Sequence, residues 1–244
     1  MQTTLTRKQR EIREREARIL ELARQMIVEH GYHGFSMDRI AEALEYSKGT
    51  IYQHFSCKED VLMALVNQAV EQRLALFRRA ATFRGRSRER IVTIGVAAEL
   101  FFRLYPDHFH IEHVIRLSSV REKTSEERRL FLEACESSCM EIVGGVIYDA
   151  IASGDFVPPP GYEPQHLGFG LWAITFGSYS IAASSPSLAR LGIENPIRAI
   201  RANGDALLDG VGWKPLSSEI DLPALYQRIT SEVFPTEIEQ VGGL

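Results

Sequence analysis

Apolar residues recur at helical spacing along almost the whole chain, and glycine or proline marks the breaks between the periodic segments. Strand alternation is weak, and no repeat of 20–50 residues is evident. Each amphipathic helix must bury one stripe against its neighbours, so the predicted fold class is all-α. The first helix is predicted over about 8–30, with Ile12, Ile19, Leu22, Ala23, Met26 and Ile27 on one face and Gly31 as its stop. Two short helices follow, over about 37–44 and 48–54. A fourth begins where Ser56 and Glu59 have capping-box spacing and runs to about Phe83.

Beyond the polar stretch RGRSRER, a fifth helix carries Ile91, Ile94, Ala98, Phe101, Phe102 and Tyr105 and ends at Pro106. Another is predicted over about 107–118. A long one opens at Thr124 and Glu127, again at capping-box spacing, and is closed by Gly154. The segment VPPPGYEP is a stiff loop, since consecutive prolines cannot continue a helix. A very apolar helix over about 164–184 follows, then one opened by Asn195-Pro196 and a last one after Pro223.

A chain of 244 residues, 45% hydrophobic and 25% charged, has the composition of a soluble globular protein with one large or two modest domains. Three cysteines (Cys57, Cys135 and Cys139) are too few for a disulfide framework and suit a reducing cytoplasm. The charged N-terminal stretch lacks the apolar region of a secretory signal. The net charge of −4 hides a division: residues 1–90 carry 17 Lys+Arg against 12 Asp+Glu, and residues 91–244 carry 11 against 20. Only the N-terminal part is therefore suited to a polyanion.

The most specific stretch is Ser36–Lys58, SMDRIAEALEYSKGTIYQHFSCK. Its two short helices are expected to cross with Ile40, Ala41, Leu44 and Ile51 inward, where Ala41 leaves room for the crossing. That spacing is helix-turn-helix, in which the second helix lies in a major groove. Lys48, Gly49, Thr50, Tyr52, Gln53 and His54 are left facing outward, offering a cation, hydroxyls, an amide and an imidazole to phosphates and base edges.

The run TIYQHFSCKEDVL, preceded by FSMDRIA, resembles the DNA-binding end of tetracycline-repressor (TetR) family regulators, over about residues 12–65. The resemblance implies a homodimer of two all-helical domains per chain. Residues 1–56 would form the three-helix, helix-turn-helix DNA-binding domain. Its first ten residues, with Arg7, Lys8 and Arg10, are read either as a basic arm reaching a groove or the backbone or as a solvated, disordered tail. Residues 57–244 would form a larger helical domain that dimerises and binds a small-molecule effector. Position by position, it implies that Ser36 caps the second helix and touches a phosphate. Ser47, Lys48, Gly49 and Thr50 face the groove, Tyr52 and His54 hold phosphates, and Gln53 lies near a base or the backbone. Lys58 is a further phosphate contact. The pattern departs from the family at Glu45, where the turn usually has glycine; a left-handed conformation there costs a non-glycine residue about 1–2 kcal/mol.

In the second domain, Phe101, Phe102, Tyr105, Phe109, His113, Leu117, Cys139, Trp172 and Phe176 are candidates to line a mostly apolar effector pocket, which suits a hydrophobic or amphipathic ligand. Each of them is also an ordinary core residue. The 23 residues Leu167–Ala189 carry no formal charge, but their glycines, serines and Pro186 suit a helix buried against a partner subunit better than a membrane span. With a second helix over 195–208 it would form a twofold four-helix bundle. His108, His110 and His113 do not converge at metal spacing on a helix, and neither a metal nor a cofactor is expected. A nucleophile elbow, a P-loop, a G-x-G-x-x-G and an H-E-x-x-H motif are all absent, which disfavours a small helical enzyme. The remaining rival is an interaction module whose helix-turn-helix no longer binds DNA.

Overall fold

The computed structural model describes residues 6–116, 122–185 and 187–244, and of residues 113–116 the backbone alone. All regular structure among them is helical: α1 (Arg7–Gly34), α2 (Met37–Ala43), α3 (Lys48–Tyr52), α4 (Lys58–Ala80), α5 (Ser87–Leu104), α6 (Pro106–Arg116), α7 (Glu126–Ser153), α8 (Pro164–Ser184), α9 (Pro196–Gly210), α10 (Leu222–Glu232) and α11 (Pro235–Gln240). The predicted last helix is thus two, because Pro235 opens a new one. Gly31 takes φ 69°, so the regular part of α1 stops there and a further turn follows.

Contacts divide the chain into two compact units. The first is Met1–Val70 with Asp107–Ala134, and the second is Glu71–Pro106 with Cys135–Leu244; the divisions fall inside α4 and α7 and just after the first residue of α6. In the first unit Ile19, Ala23 and Ile27 of α1 are fully or nearly fully buried, with Phe35, Ile40, Ala41, Ile51, Phe55, Leu62 and Leu65. Burying each of the large side chains contributes about 1.5–3 kcal/mol, which holds α3 in place although five residues are too few for a helix to persist alone.

The start of α4 is capped differently from the expected Ser56/Glu59 box. Cys57 stands at the cap, its carbonyl accepting from the N–H of Asp60 (3.1 Å), and the Asp60 carboxylate accepts from the Ser56 N–H (3.3 Å). Glu59 is turned instead towards Tyr32, whose hydroxyl donates to it at 3.2 Å.

In the second unit Trp213 is fully buried, stacks on Phe156 with ring centroids 5.6 Å apart and donates to Ser87 Oγ at 2.9 Å. Arg88, also fully buried, donates to Asp205 (3.1 Å) and Asp209 (2.9 Å) of α9. Gly170 of α8 lets α9 approach closely, since a Cβ there would lie 3.3 Å from Leu207 Cδ2.

Candidate nucleic-acid interface

The turn between α2 and α3 is built by backbone hydrogen bonds. Tyr46 N–H donates to the Ala41 carbonyl (2.9 Å) and Glu45 N–H to the Glu42 carbonyl (3.1 Å), the paired pattern of a Schellman motif. That motif demands a left-handed residue, and Glu45 takes φ 55°, the one non-glycine residue with positive φ among those described. The turn therefore keeps helix-turn-helix geometry without its usual glycine. Ser47 then caps α3, its Oγ accepting from Thr50 N–H (3.1 Å) and lying 2.8 Å from Thr50 Oγ1.

With Ile51 buried beneath it, α3 presents Ser47, Lys48, Gly49, Tyr52 and Gln53 outward, and Tyr52 is 51% exposed. Thr50 is half-buried and engaged with its cap. A Cβ on Gly49 would meet only Ser47 Oγ at 3.8 Å, so the fold itself does not require glycine there. Ser36 caps α2, accepting from Arg39 N–H (3.3 Å). Lys48 is not free: its ammonium donates to Asp38 at 2.7 Å, and that hydrogen bond raises its pKa.

Two expected phosphate ligands are placed less openly. The side chain of His54 is only 5% exposed, with Nδ1 3.5 Å from Glu16 Oε1 of α1, so the imidazole is turned under the reading face. This corrects the expectation of an outward His54: the chain bends inward after Gln53 to bury Phe55 and takes His54 with it. Lys58 is half-buried, with Nζ 4.2 Å from the centre of the Tyr32 ring. The Tyr32 hydroxyl is pushed up to about 12 by burial and then by the neighbouring Glu59 carboxylate.

The candidate effector residues are spread over both units. Phe109 is buried and lies in the first unit. Leu117 and the His113 side chain lie outside the described residues. In the second unit Phe101 and Cys139 are buried, Tyr105 lies 6.0 Å from Phe101, and Trp172 lies 6.4 Å from Phe176. Phe102 stacks on Tyr179 at 4.7 Å. The second unit also contains a cavity of about 80 Å³ that the sequence reading missed. Its walls are aliphatic (Val92, Val96, Ile174 and Ile200 among them), and its polar edge is Glu99, Arg201, Asp205, Thr175, Tyr179 and Tyr226. Arg201 makes a two-pronged pair with Glu99 (2.8 Å for each nitrogen) and lies 4.8 Å over the Tyr226 ring. Burial, then the Glu99 charge, pushes the Tyr179 hydroxyl strongly up, so it is a neutral donor there. None of the seven candidates whose side chains are described lines this cavity; Phe102 stands behind it through Tyr179. Among the described residues no three His, Cys, Asp or Glu side chains converge to hold a metal, and no helix is long and apolar enough to cross a membrane.

Comparison with known proteins bears on both units. Residues 19–65 match the family described as bacterial regulatory proteins, tetR family. The HTH-type transcriptional regulator UidR of Escherichia coli K12 is 43% identical over 61 residues, 25% of this chain and 31% of that one. The chain thus spans about a third of the length of that relative. The fatty acid metabolism regulator protein of Bacillus subtilis is 27% identical over 137 residues, 56% of this chain and 68% of its own. Among solved structures, the transcriptional regulator FadR from Bacillus subtilis, in complex with stearoyl-CoA, superposes with a TM-score of 0.59 at 17% identity, over 80% of this chain and 98% of that one. The last likeness is one of fold.

Proposed function

We propose that this chain, whose residues 19–65 match the tetR family of bacterial regulatory proteins, is a ligand-responsive transcriptional regulator, a repressor that binds a palindromic operator as a homodimer and is released by a small hydrophobic or amphipathic molecule. The observation that carries the DNA-binding part is the outer face of α3. Lys48, Gly49, Tyr52 and Gln53 are exposed together on a helix whose other side is anchored by the fully buried Ile51. In a major groove Gln53 can pair with adenine N6 and N7 or reach the backbone, Tyr52 and Ser36 can donate to phosphates, and Lys48 reaches one once it leaves Asp38.

Support for the homodimer comes from α8, on which Phe169 is 62% exposed and Trp172 and Ile181 are also exposed. A second copy would cover these side chains with its own α8 and α9. Two reading heads then meet half-sites about 34–36 Å apart, and an effector that changes their separation weakens binding. The effector reading rests on the aliphatic walls and polar edge of the second-unit cavity, and on the fatty-acid associations carried by the names of two relatives. An acyl chain exceeds 80 Å³, so such a ligand would have to part the helices that line it.

The test is selection of bound duplexes from a random pool, followed by titration of the winner at several salt concentrations and then in the presence of straight-chain fatty acids and acyl-CoA. A palindromic consensus, steep salt dependence and ligand-induced release are expected. Binding that ignores sequence overturns the operator reading, and indifference to every apolar ligand overturns the effector reading.

A further inference from the structure

We infer that the first three turns of α1 form a second DNA contact, a cationic helix that lies along the phosphate backbone beside α3 without reading sequence. The inference rests on the DNA-binding reading above. Thr6 caps this helix, accepting from Gln9 N–H (3.3 Å) while the Gln9 side chain accepts from Thr6 N–H (2.9 Å), so the basic segment is helical from residue 7 onward. Yet its first eight residues bury nothing. Residues Arg7–Glu14 are all exposed, Arg15 and Glu16 are half-buried, and the first buried side chain of α1 is Ile19. Twelve residues at 1.5 Å each make an overhang of about 18 Å.

A helix that is polar all round needs either many internal ion pairs or a partner. Arg7 and Glu11 pair at 2.9 Å, but Lys8, Arg10 and Arg13 make no hydrogen bond or ion pair among the described residues. Over Arg7–Arg18 six cations face three carboxylates. The position of the overhang follows from two contacts. The Arg15 guanidinium lies 5.9 Å over the ring of Tyr46, just before α3, and Glu16 meets His54, just after it. The helix thus leaves the body of the first unit beside the residues that flank α3 on either side. Lys48 on α3 is held by Asp38, whereas Lys8, Arg10 and Arg13 on the overhang have no such partner among the described residues. Ile12 is the one large apolar residue in the stretch, too little for insertion into a lipid surface.

The experiment uses the full chain and the operator selected above, comparing wild type with the triple variant Lys8→Gln/Arg10→Gln/Arg13→Gln. Glutamine keeps helix propensity close to that of lysine and arginine. Each phosphate contact contributes about 0.9 to the slope of log affinity against log salt, so the slope should fall by roughly two to three. Affinity should drop by about tenfold or more at low salt, equally on operator and on unrelated duplex, with the consensus unchanged. Circular dichroism and the thermal midpoint of each variant show whether the fold is retained. The counterpart Glu11→Gln/Glu14→Gln should bind more tightly, an outcome that misfolding cannot produce. An unchanged slope in the triple variant, or a changed consensus, overturns the inference. If wild type itself shows no salt-dependent binding, the parent reading falls instead.

Discussion

At the scale of single residues, Glu45 and Asp38 both set the reading head at a cost. Glu45 sits at φ 55° because the two backbone hydrogen bonds that close the turn require it. Its side chain is exposed, so replacing it removes strain and little else. Glu45→Gly should stabilise the protein by about 1 kcal/mol, seen as a higher urea midpoint at an unchanged slope. A destabilised variant would mean that the strain is already compensated. The sequence pattern exposed this position, since a turn that usually takes glycine had glutamate. It did not expose Asp38, ten residues before Lys48 and brought to it only by the crossing of α2 and α3. Asp38→Asn frees the Lys48 ammonium and removes a negative charge close to it. Operator affinity should rise roughly two- to fivefold at low salt, and the gain should shrink as salt is added.

At the scale of elements, glycine and proline act locally and were legible: Gly31 ends the regular part of α1, Pro106 marks the break between α5 and α6, and Pro196 opens α9. Features made by distant residues were not. Asp60 replaces Glu59 in capping α4, and it also pairs with Arg128 of α7 at 3.2 Å, while Arg128 lies 5.0 Å over the Phe55 ring. Asn67 of α4 donates to the Arg128 carbonyl at 3.1 Å. The start of α7 is therefore clasped to the start of α4 within the first unit. Asp60 is largely buried and Arg128 about a quarter exposed, so Arg128→Ala should cost about 1–3 kcal/mol, measured by denaturant unfolding. The Asp60 carboxylate also accepts from the Ser125 N–H (3.5 Å), so a neutral result would show that the Ser56 and Ser125 N–H groups suffice for it. On α6, burial and then the Arg24 charge hold the His108 imidazole below its ordinary range, against the opposing pull of Asp107 and Glu21. Because its folded pKa is depressed, the stabilisation that it contributes is present above about pH 6.5 and lost as pH falls through the folded value. His108→Gln should flatten the loss of stability between pH 7 and pH 5; an identical pH profile would place that loss elsewhere.

At the scale of the whole molecule, the proposed homodimer would use the charge division along the chain to bring its basic parts to DNA and the exposed apolar side chains of α8 to pair the two copies. A basic first part alone would bind DNA weakly and without regard to sequence, so specificity needs two heads at a fixed separation. The cavity's polar edge shows why this part of the protein was hard to read from sequence. Glu99 and Arg201 are more than a hundred residues apart, and neither sits in a local pattern. The α8 face was readable because an uncharged run of that length is rare in a soluble helix. If that face joins two copies, Trp172→Glu places a carboxylate where the partner's apolar side chains would press. Trp172 is already partly exposed, so the isolated chain should keep its helical content and thermal midpoint. Sedimentation should then show a monomer at micromolar concentration, and operator affinity should fall by roughly a hundredfold or more as the two half-sites cease to be linked. A variant that stays dimeric would move the interface off α8. One that becomes monomeric yet binds a single half-site with undiminished affinity would separate DNA recognition from dimerisation altogether.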